Sequence, residues 1–390
     1  MKPIHGLVLC ALGMSAPIIT QAADFNNWPT KLTTTNGSEW SLTGNYQYDA
    51  MHVRHSDTIE DAHTNRRKEL GGTVRKKNAW DAMVYFDFQS KTWLDVFLRV
   101  DSAWILGKDY GKFRFGHTKL PVGFEGITGS RAYSFAEMAL PMHAFYQSRR
   151  TGIDWALERP DYLVNLGYYF AQDLQGNNDG NTIVARTAWT PFKSAGDVLH
   201  LGISASRERP SGTTDGRGVH RTPSARWRAR PEAGLTDVRL VDSGSLSDVD
   251  SNRRIGLEGL WIRGPWSLQG EYLQVHTKRA ADLSNYSADG YYMFGSYVLT
   301  GESRTYAGGN VGNLKPQHPW GAVELLVRYS AVDLNHNAIQ GGRKHDLTFG
   351  ANWYLTQHFK FQANYVKVRA SRQGQRQNPD IVIVRAQVYF

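Results

Sequence analysis

The 390-residue sequence has one cysteine, few prolines and no long apolar run after residue 22. Cys10 lies within the apolar N-terminal stretch, so the remaining chain can form neither a disulfide nor a thiolate nucleophile. The lack of a run of roughly 18 apolar residues excludes membrane-spanning helices. Membrane strands stay possible, because their alternating side chains average out as polar.

Residues 1–22 predict a secretory signal peptide, with the positive Lys2, an apolar stretch over residues 4–19 and a plausible cleavage site at residues 20–22. Residues 23–390 would then form the mature domain. The net charge is +9, and it becomes +8 without Lys2 (9 − 1). This surplus favours an anionic partner, and in an exported protein a small anion or a lipid headgroup fits better than nucleic acid.

Apolar and polar residues alternate with period two along most of the remaining chain. Trp40 and Leu42, for example, fall on one face of a segment and Ser41 and Thr43 on the other. Such faces suit a strand between lipid and water. About 16 segments of this kind can be counted, and the last ends on Phe390, a pattern typical of bacterial outer-membrane barrels. The sequence therefore predicts an all-β fold, a transmembrane antiparallel β-barrel in the bacterial outer membrane.

Long connections interrupt this pattern. The stretch Leu120 to Arg150 follows the fifth strand, which makes it the third outer loop, and loops of this length are uncommon unless they serve a function. We expect it to fold into the lumen and to set the width and charge of a pore. A second long loop runs from Arg207 to Asn252, and a third connection, from Gly301 to Pro319, falls on the side where the other turns are short.

Arginines dominate the polar faces. A charge that faced lipid at the midplane would cost about 2–4 kcal/mol, so these side chains should point inward. Their forked donors suit phosphate-like oxygens. They could contact a passing anion directly, or they could pair with inward carboxylates. The inward set comprises Arg75, Arg99, Arg114, Arg186, Arg254, Arg328 and Arg385.

Several stretches resemble the phosphate-selective porin O and P family. They include Arg66-Arg67, residues 112–116, the triplet Gly123-Phe124-Glu125 and residues 264–272. The resemblance implies a sixteen-stranded homotrimeric outer-membrane channel for phosphate or polyphosphate-like anions, with an inward third loop and an arginine ladder. It implies no cofactor and no enzymatic activity.

Eleven residues are candidates for the anion path. The resemblance contributes Arg66, Arg67, Thr128, Ser130, Arg131, Arg228 and Arg230. The wall faces add Arg99, Arg114, Arg186 and Arg328. The chain departs from the family at Gly126, where a central lysine would stand, so a general-diffusion porin with little phosphate selectivity is a second possibility.

Two other protein classes are alternatives. A barrel enzyme would need a nucleophile and base, but Ser130 lacks the Gly-x-Ser-x-Gly context. His52, His55 and His63 share a loop without ordinary zinc spacing, so no metal site is expected. An exported β-sandwich adhesin is the other alternative, and it would not require detergent.

Overall fold

The structure is a computed structural model that describes residues 31–214, 216–280 and 282–390. The predicted signal peptide, residues 1–22, lies outside these ranges and stays a prediction. In the described ranges, sixteen long strands form the wall: β1 (Ser38–Arg54), β2 (Ala62–Lys76), β3 (Trp80–Asp87), β4 (Thr92–Asp101), β5 (Lys112–Lys119), β6 (Arg149–Glu158), β7 (Tyr162–Ala171), β8 (Gly180–Ser194), β9 (Asp197–Pro210), β10 (Val249–Arg263), β11 (Trp266–Arg279), β12 (Tyr286–Val298), β13 (Ala322–His336), β14 (Ile339–Tyr354), β15 (Phe359–Arg372) and β16 (Asp380–Tyr389).

Each strand pairs antiparallel with the next, and β1 pairs with β16 from Asn45↔Tyr389 to Arg54↔Asp380. This last pairing closes the barrel and removes the open edges of the sheet. The prediction of an all-β barrel with about 16 strands is confirmed. Short strands extend or decorate the wall at Leu32–Thr33, Thr213–Thr214, His220–Arg221, Arg228–Ala229, Val241–Asp242, Tyr306–Ala307, Asn310–Val311 and Gln375–Gln377.

The two faces of the wall differ as the alternation predicts. On β10, Ile255 and Leu257 are exposed on the outside, whereas Arg254 and Glu258 are buried on the inside. Apolar side chains outside and polar side chains inside are the arrangement of a barrel whose solvent is lipid.

Three segments of the described chain turn back against the inner wall. Loop A is residues 120–148, between β5 and β6, and loop B is residues 211–248, between β9 and β10. Loop C is residues 299–321, between β12 and β13, at the end of the barrel where the other connections are short. Loop A contains the helices α2 (Phe124–Ile127) and α3 (Leu140–Phe145) and a 3₁₀ turn (Ser130–Ala132). The remaining helix, α1 (Ser102–Leu106), joins β4 to β5.

Loop A packs against the inner wall on the far side of the barrel. The backbone N–H of Phe124 donates to Glu271 on β11, and that of Leu140 donates to Ser330 on β13. The backbone N–H of Ala136 donates to Asn364 on β15. These contacts carry the loop across the barrel interior.

Loops B and C hold loop A in this position. From loop B, Glu232 accepts a hydrogen bond from Arg328, which also contacts Glu125 of loop A. From loop C, Asn310 accepts a hydrogen bond from Thr128 of loop A at 2.7 Å. Loops B and C therefore contact loop A inside the barrel, and the three loops fill part of its lumen.

Candidate functional site

The exposure of inward side chains varies around the barrel. Arg99 on β4 keeps 40% of its side chain exposed and Arg114 on β5 keeps 24%, whereas Arg328 on β13 keeps 0%. The three loops thus fill the side of the lumen near β13 and leave space beside β2 to β5.

One turn of loop A projects towards this space. Gly129 at its tip is exposed, and a Cβ there would meet no atom within 4 Å. The backbone oxygen of Arg131 accepts hydrogen bonds from Lys360 and Gln387, each at 3.0 Å, and so ties the turn to β15 and β16. Residues 126–133 are called the basic turn below.

Lys119, the last residue of β5, places its ammonium at the basic turn. Its Nζ donates to the carbonyl oxygens of Gly126 (3.1 Å) and Thr128, and it lies 5.8 Å from the centre of the Tyr133 ring. In the described part of the chain Lys119 forms no ion pair. An ammonium has three donors, so one is left for another acceptor.

Gly126 could not carry a lysine in this packing. A Cβ on Gly126 would lie 2.6 Å from the Tyr146 ring. The ammonium of Lys119 nevertheless contacts the backbone of that same residue. The position at which the resemblance implies a lysine is therefore contacted by the ammonium of a lysine seven residues upstream in the sequence.

The alternation along β5 did not reveal Lys119. Counted from the outward Phe115, it falls on the lipid face. Gly116, however, has a φ of 133°, where a Cβ would lie 2.3 Å from the Val96 carbonyl oxygen. The strand pairing continues in register through this glycine to Lys119, where the chain leaves β5 for loop A. A lysine side chain that faces lipid costs free energy. That cost was the signal in the sequence that could have placed the Lys119 side chain inside the barrel.

The carboxylate of Glu69 on β2 contacts the basic turn. It accepts hydrogen bonds from Ser130 (3.1 Å), Asn45 (2.9 Å) and Tyr85 (3.0 Å). Arg67 approaches it only to 3.8 Å. Neutral donors therefore carry most of the contacts to Glu69, and the Arg67 Nε is buried without a hydrogen-bond partner in the described residues.

Arg131 also leaves part of its guanidinium available. Its Nη1 donates to the Thr43 hydroxyl (3.0 Å) and to the backbone oxygen of Phe390 (2.9 Å). Both hydrogen bonds use Nη1, so Nη2 and Nε of the guanidinium keep their donors.

Three predicted path arginines are braced by acids while keeping some exposure. Arg99 bonds Asp81 through two nitrogens at 2.9 and 3.0 Å, and Arg114 bonds Asp154 at 2.9 Å. Arg66 bonds Glu137 of loop A at 2.8 Å. The sequence left two roles open for inward arginines, contact with a passing anion or pairing with a carboxylate. The structure shows the ion pair for these three side chains.

Two other predicted path residues are enclosed. Arg186 lies against Glu258 with 1% of its side chain exposed. Arg328 lies between Glu232 and Glu125, 4.1 Å from the centre of the Phe135 ring. Buried cations in such contacts brace loops against the wall and present no face to the open space.

The remaining predicted residues belong to the loops. Arg228 in loop B is exposed, and Arg230 donates to the carbonyl oxygens of Gly234 and Thr236 at 3.4 and 3.5 Å. The hydroxyl of Thr128 is engaged by Asn310. Among the described contacts, neither Arg228 nor Arg230 has one to the basic turn.

Burial shifts several acid–base groups of loop A. It raises the pKa of Glu125 to about 7 despite the opposing effect of Arg328, and it lowers the pKa of His143 to about 3. Burial also acts to raise the pKa of Glu137, but Arg66 and Arg385 outweigh it and hold that pKa well below its usual range. Loop A thus docks on a charge arrangement that depends on protonation.

No helix in residues 31–214, 216–280 or 282–390 has the length and apolarity needed to cross a membrane. Within the same ranges, no group of three or more His, Cys, Asp or Glu side chains could hold a metal ion.

Sequence comparison places residues 41–390 in the phosphate-selective porin O and P family. Porin O of Pseudomonas aeruginosa is 26% identical over 393 aligned positions, covering 87% of this chain and 85% of that protein. An uncharacterized protein of Caulobacter vibrioides is 28% identical over 68% of this chain, which spans 56% of that protein's length.

Solved porin structures share the fold. OmpT of Vibrio cholerae superposes with a TM-score of 0.59 at 11% identity, covering 93% of this chain and 100% of that one. An anion-selective porin of Comamonas acidovorans gives 0.56 at 11% identity, covering 90% and 100%. With the closed sixteen-stranded barrel of the described residues and the match over residues 41–390, this chain belongs to the phosphate-selective porin O and P family of the bacterial outer membrane.

Proposed function

We propose that the protein is a passive channel that prefers anions of the phosphate type, and that they pass the basic turn. The observation that carries the proposal is the charge there. Lys119, Arg67 and Arg131 lie together at the basic turn, beside the carboxylate of Glu69, whose hydrogen bonds come from neutral donors.

The donors at the basic turn suit a multi-oxygen anion. Lys119 offers a point charge, and the guanidinium groups of Arg67 and Arg131 offer flat forks. Lys119 and Arg131 are already held by hydrogen bonds to the protein, so little of their conformational entropy is lost when an ion binds. Conduction requires that binding be weak enough for release, and distributed contacts of this kind meet that condition.

The wall arginines have a supporting role in this proposal. Arg99, Arg114 and Arg66 keep partial exposure beside their acids, so their outer N–H groups line the open side of the lumen. Arg186 and Arg328 instead hold the loops. We also propose a homotrimer, since an OmpT structure of Vibrio cholerae with this fold has a trimer form.

Planar-bilayer recordings test the proposal. In a chloride gradient the reversal potential should have the sign of anion preference, and added phosphate should reduce the chloride current. Cation preference would refute the proposal. Anion preference without any effect of phosphate would instead indicate a general-diffusion porin.

A further inference from the structure

The outer face of the barrel carries basic residues at one end of β9 and β10. Arg207 on β9 and Arg253 on β10 are direct cross-strand partners, and both are exposed. Neither forms an ion pair within the described part of the chain. Like charges directly opposite on neighbouring strands repel, so the sheet register keeps an unfavourable contact at this point.

The same row continues with further donors. The next cross-strand partner of Arg253 is His276 on β11, whose Nδ1 lies 2.8 Å from the hydroxyl of Ser287 on β12. Arg209, also exposed, lies two residues beyond Arg207. Two guanidinium groups, an imidazole and a hydroxyl therefore lie side by side on four adjacent strands.

The position of this row relative to the lipid follows from β10. Its outward side chains between Arg253 and Arg263 are apolar or glycine, including Ile255, Leu257 and Trp261. Ten residues separate the two arginines (263 − 253), which corresponds to roughly 23 Å across a membrane for a strand tilted by about 45°. That span is close to the ~25 Å apolar band of such barrels. The row thus lies at the headgroup level.

The row is at the end of the barrel that carries loops A and B, which in bacterial barrels faces the outside. We infer that Arg207, Arg253 and His276 form a binding site for the phosphate group of an anionic lipid in the outer leaflet. Paired guanidinium forks match phosphate oxygens, and a phosphate between them converts the repulsion into two charge-assisted contacts. Ile183 and Ile255, exposed beside the row, would contact the acyl chains.

This site is separate from the lumen and does not depend on anion permeation. Lipid retention by the detergent-purified oligomer tests it, using phosphatidic acid, phosphatidylcholine and inorganic phosphate as probes in native mass spectrometry. The wild-type protein should retain phosphatidic acid about tenfold better than phosphatidylcholine. The double variant Arg207→Gln/Arg253→Gln should lose that preference.

Arg263→Gln is the matched control, since it removes an exposed arginine from the other end of the same strand. It should keep the preference for phosphatidic acid. A heat-sensitive shift in gel migration checks that each variant is folded. Equal retention of phosphatidic acid by the double variant would overturn the inference.

Two further results would also overturn it. Displacement of phosphatidic acid by equimolar inorganic phosphate would identify a site for the free ion rather than for a lipid. Loss of the oligomer in the double variant, with no lipid bound to the wild type, would identify the row as a contact between copies of the chain.

Discussion

The cationic residues of the lumen fall into two groups, those that contact an acid and those that contact only neutral groups. Arg328 and Arg186 are enclosed by acids, whereas Lys119 contacts only neutral oxygens and a ring in the described structure. An enclosed ion pair cannot offer its charge to a passing ion without losing its own contacts, because the remaining acid would be left buried and unpaired. Substitutions of cations that contact only neutral groups, such as Lys119, should therefore change the anion selectivity most.

Replacing Lys119 with methionine should weaken block of the chloride current by phosphate roughly tenfold, or ~1.4 kcal/mol, about the value of one hydrogen bond to a charged group. The reversal potential should move towards zero. Lys112→Met is the control on the same strand, because Lys112 is exposed and 3.9 Å from Asp101. If phosphate blocked the chloride current equally well in Lys119→Met, in Lys112→Met and in the wild type, the role of Lys119 as an anion contact would be contradicted.

Replacing Arg131 with alanine should also reduce anion preference, because the available part of its guanidinium is lost. The change also removes the bonds to Thr43 and Phe390, so folding must be checked by gel migration. Arg131→Lys separates the two effects, since it retains the charge. Reversal potentials of both variants equal to that of the wild type would exclude a constriction role.

Protonation of Glu125 should strengthen the docking of loop A. Its pKa of about 7 in the folded loop is above the usual value of 4.5, so the docked state binds the proton more tightly. Its contribution is therefore fully present below about pH 4.5 and is lost as the pH rises through about 7. Hydrogen exchange of loop A amides should show wild-type protection falling, relative to Glu125→Gln, from about pH 4.5 to about pH 7 and levelling off above that.

The comparison with Glu125→Gln is needed because His143 acts in the opposite direction at lower pH. Its pKa of about 3 means that the docked loop favours the neutral imidazole. Both proteins contain His143, so their difference isolates Glu125. A difference that did not change with pH would contradict the prediction.

Among the elements, loop C has the least expected position, because it enters the barrel from the end with short turns. Its hairpin pairs Tyr306 with Val311, and Val311 packs against Phe124 of loop A. Its tip carbonyl at Gly309 accepts a hydrogen bond from Arg186 at 2.8 Å. The hairpin therefore supports the basic turn from the end of the barrel with the short turns, and it occupies part of the lumen.

Replacing residues 305–312 with a short glycine–serine link should raise single-channel conductance and increase current noise. The hairpin's volume would be vacated, and the Thr128–Asn310 hydrogen bond would be lost. Shortening the exposed loop at residues 173–178, between β7 and β8, is the control. Equal conductance in the hairpin variant and the wild type would show that loop C does not limit the path.

At the scale of the whole molecule, closure depends on the pairing of β1 with β16. Arg385 on β16 bonds Asp49 on β1 through two nitrogens at 2.7 Å, and it lies 3.6 Å from Glu137 of loop A. These side chains are essentially fully buried, at 0%, 1% and 3% exposure. The barrel seam and loop A are thus stabilised by one shared cation.

Arg385→Met should destabilise the barrel by ~3–5 kcal/mol, because Asp49 would be left as a buried, unpaired charge. The temperature at which the folded gel band disappears measures the loss. Arg343→Gln breaks an exposed pair with Asp333 and should cost about 0–1 kcal/mol. Similar melting of the two variants would refute the special role of the seam.

Much of the fold could be predicted because alternation is a local property. Exposed Trp40 and Leu42 beside buried Thr43 follow directly from period two, as do the strand number and the long connection after β5. Partners could not be predicted in this way. Arg328 pairs with Glu232 and Glu125, which are 96 and 203 residues away in sequence, and no local pattern encodes that choice.

The sequence by itself thus determined the alternating wall, the inward arginines and the place of loop A, since each depends on the order of neighbouring residues. Only the tertiary structure decided which cations are neutralised and which are available. Lys119 illustrates the difference. Its position in β5 predicts a lipid-facing side chain, but β5 ends at Lys119 and its ammonium contacts the carbonyl oxygen of Gly126, because packing rather than periodicity sets where a strand end points.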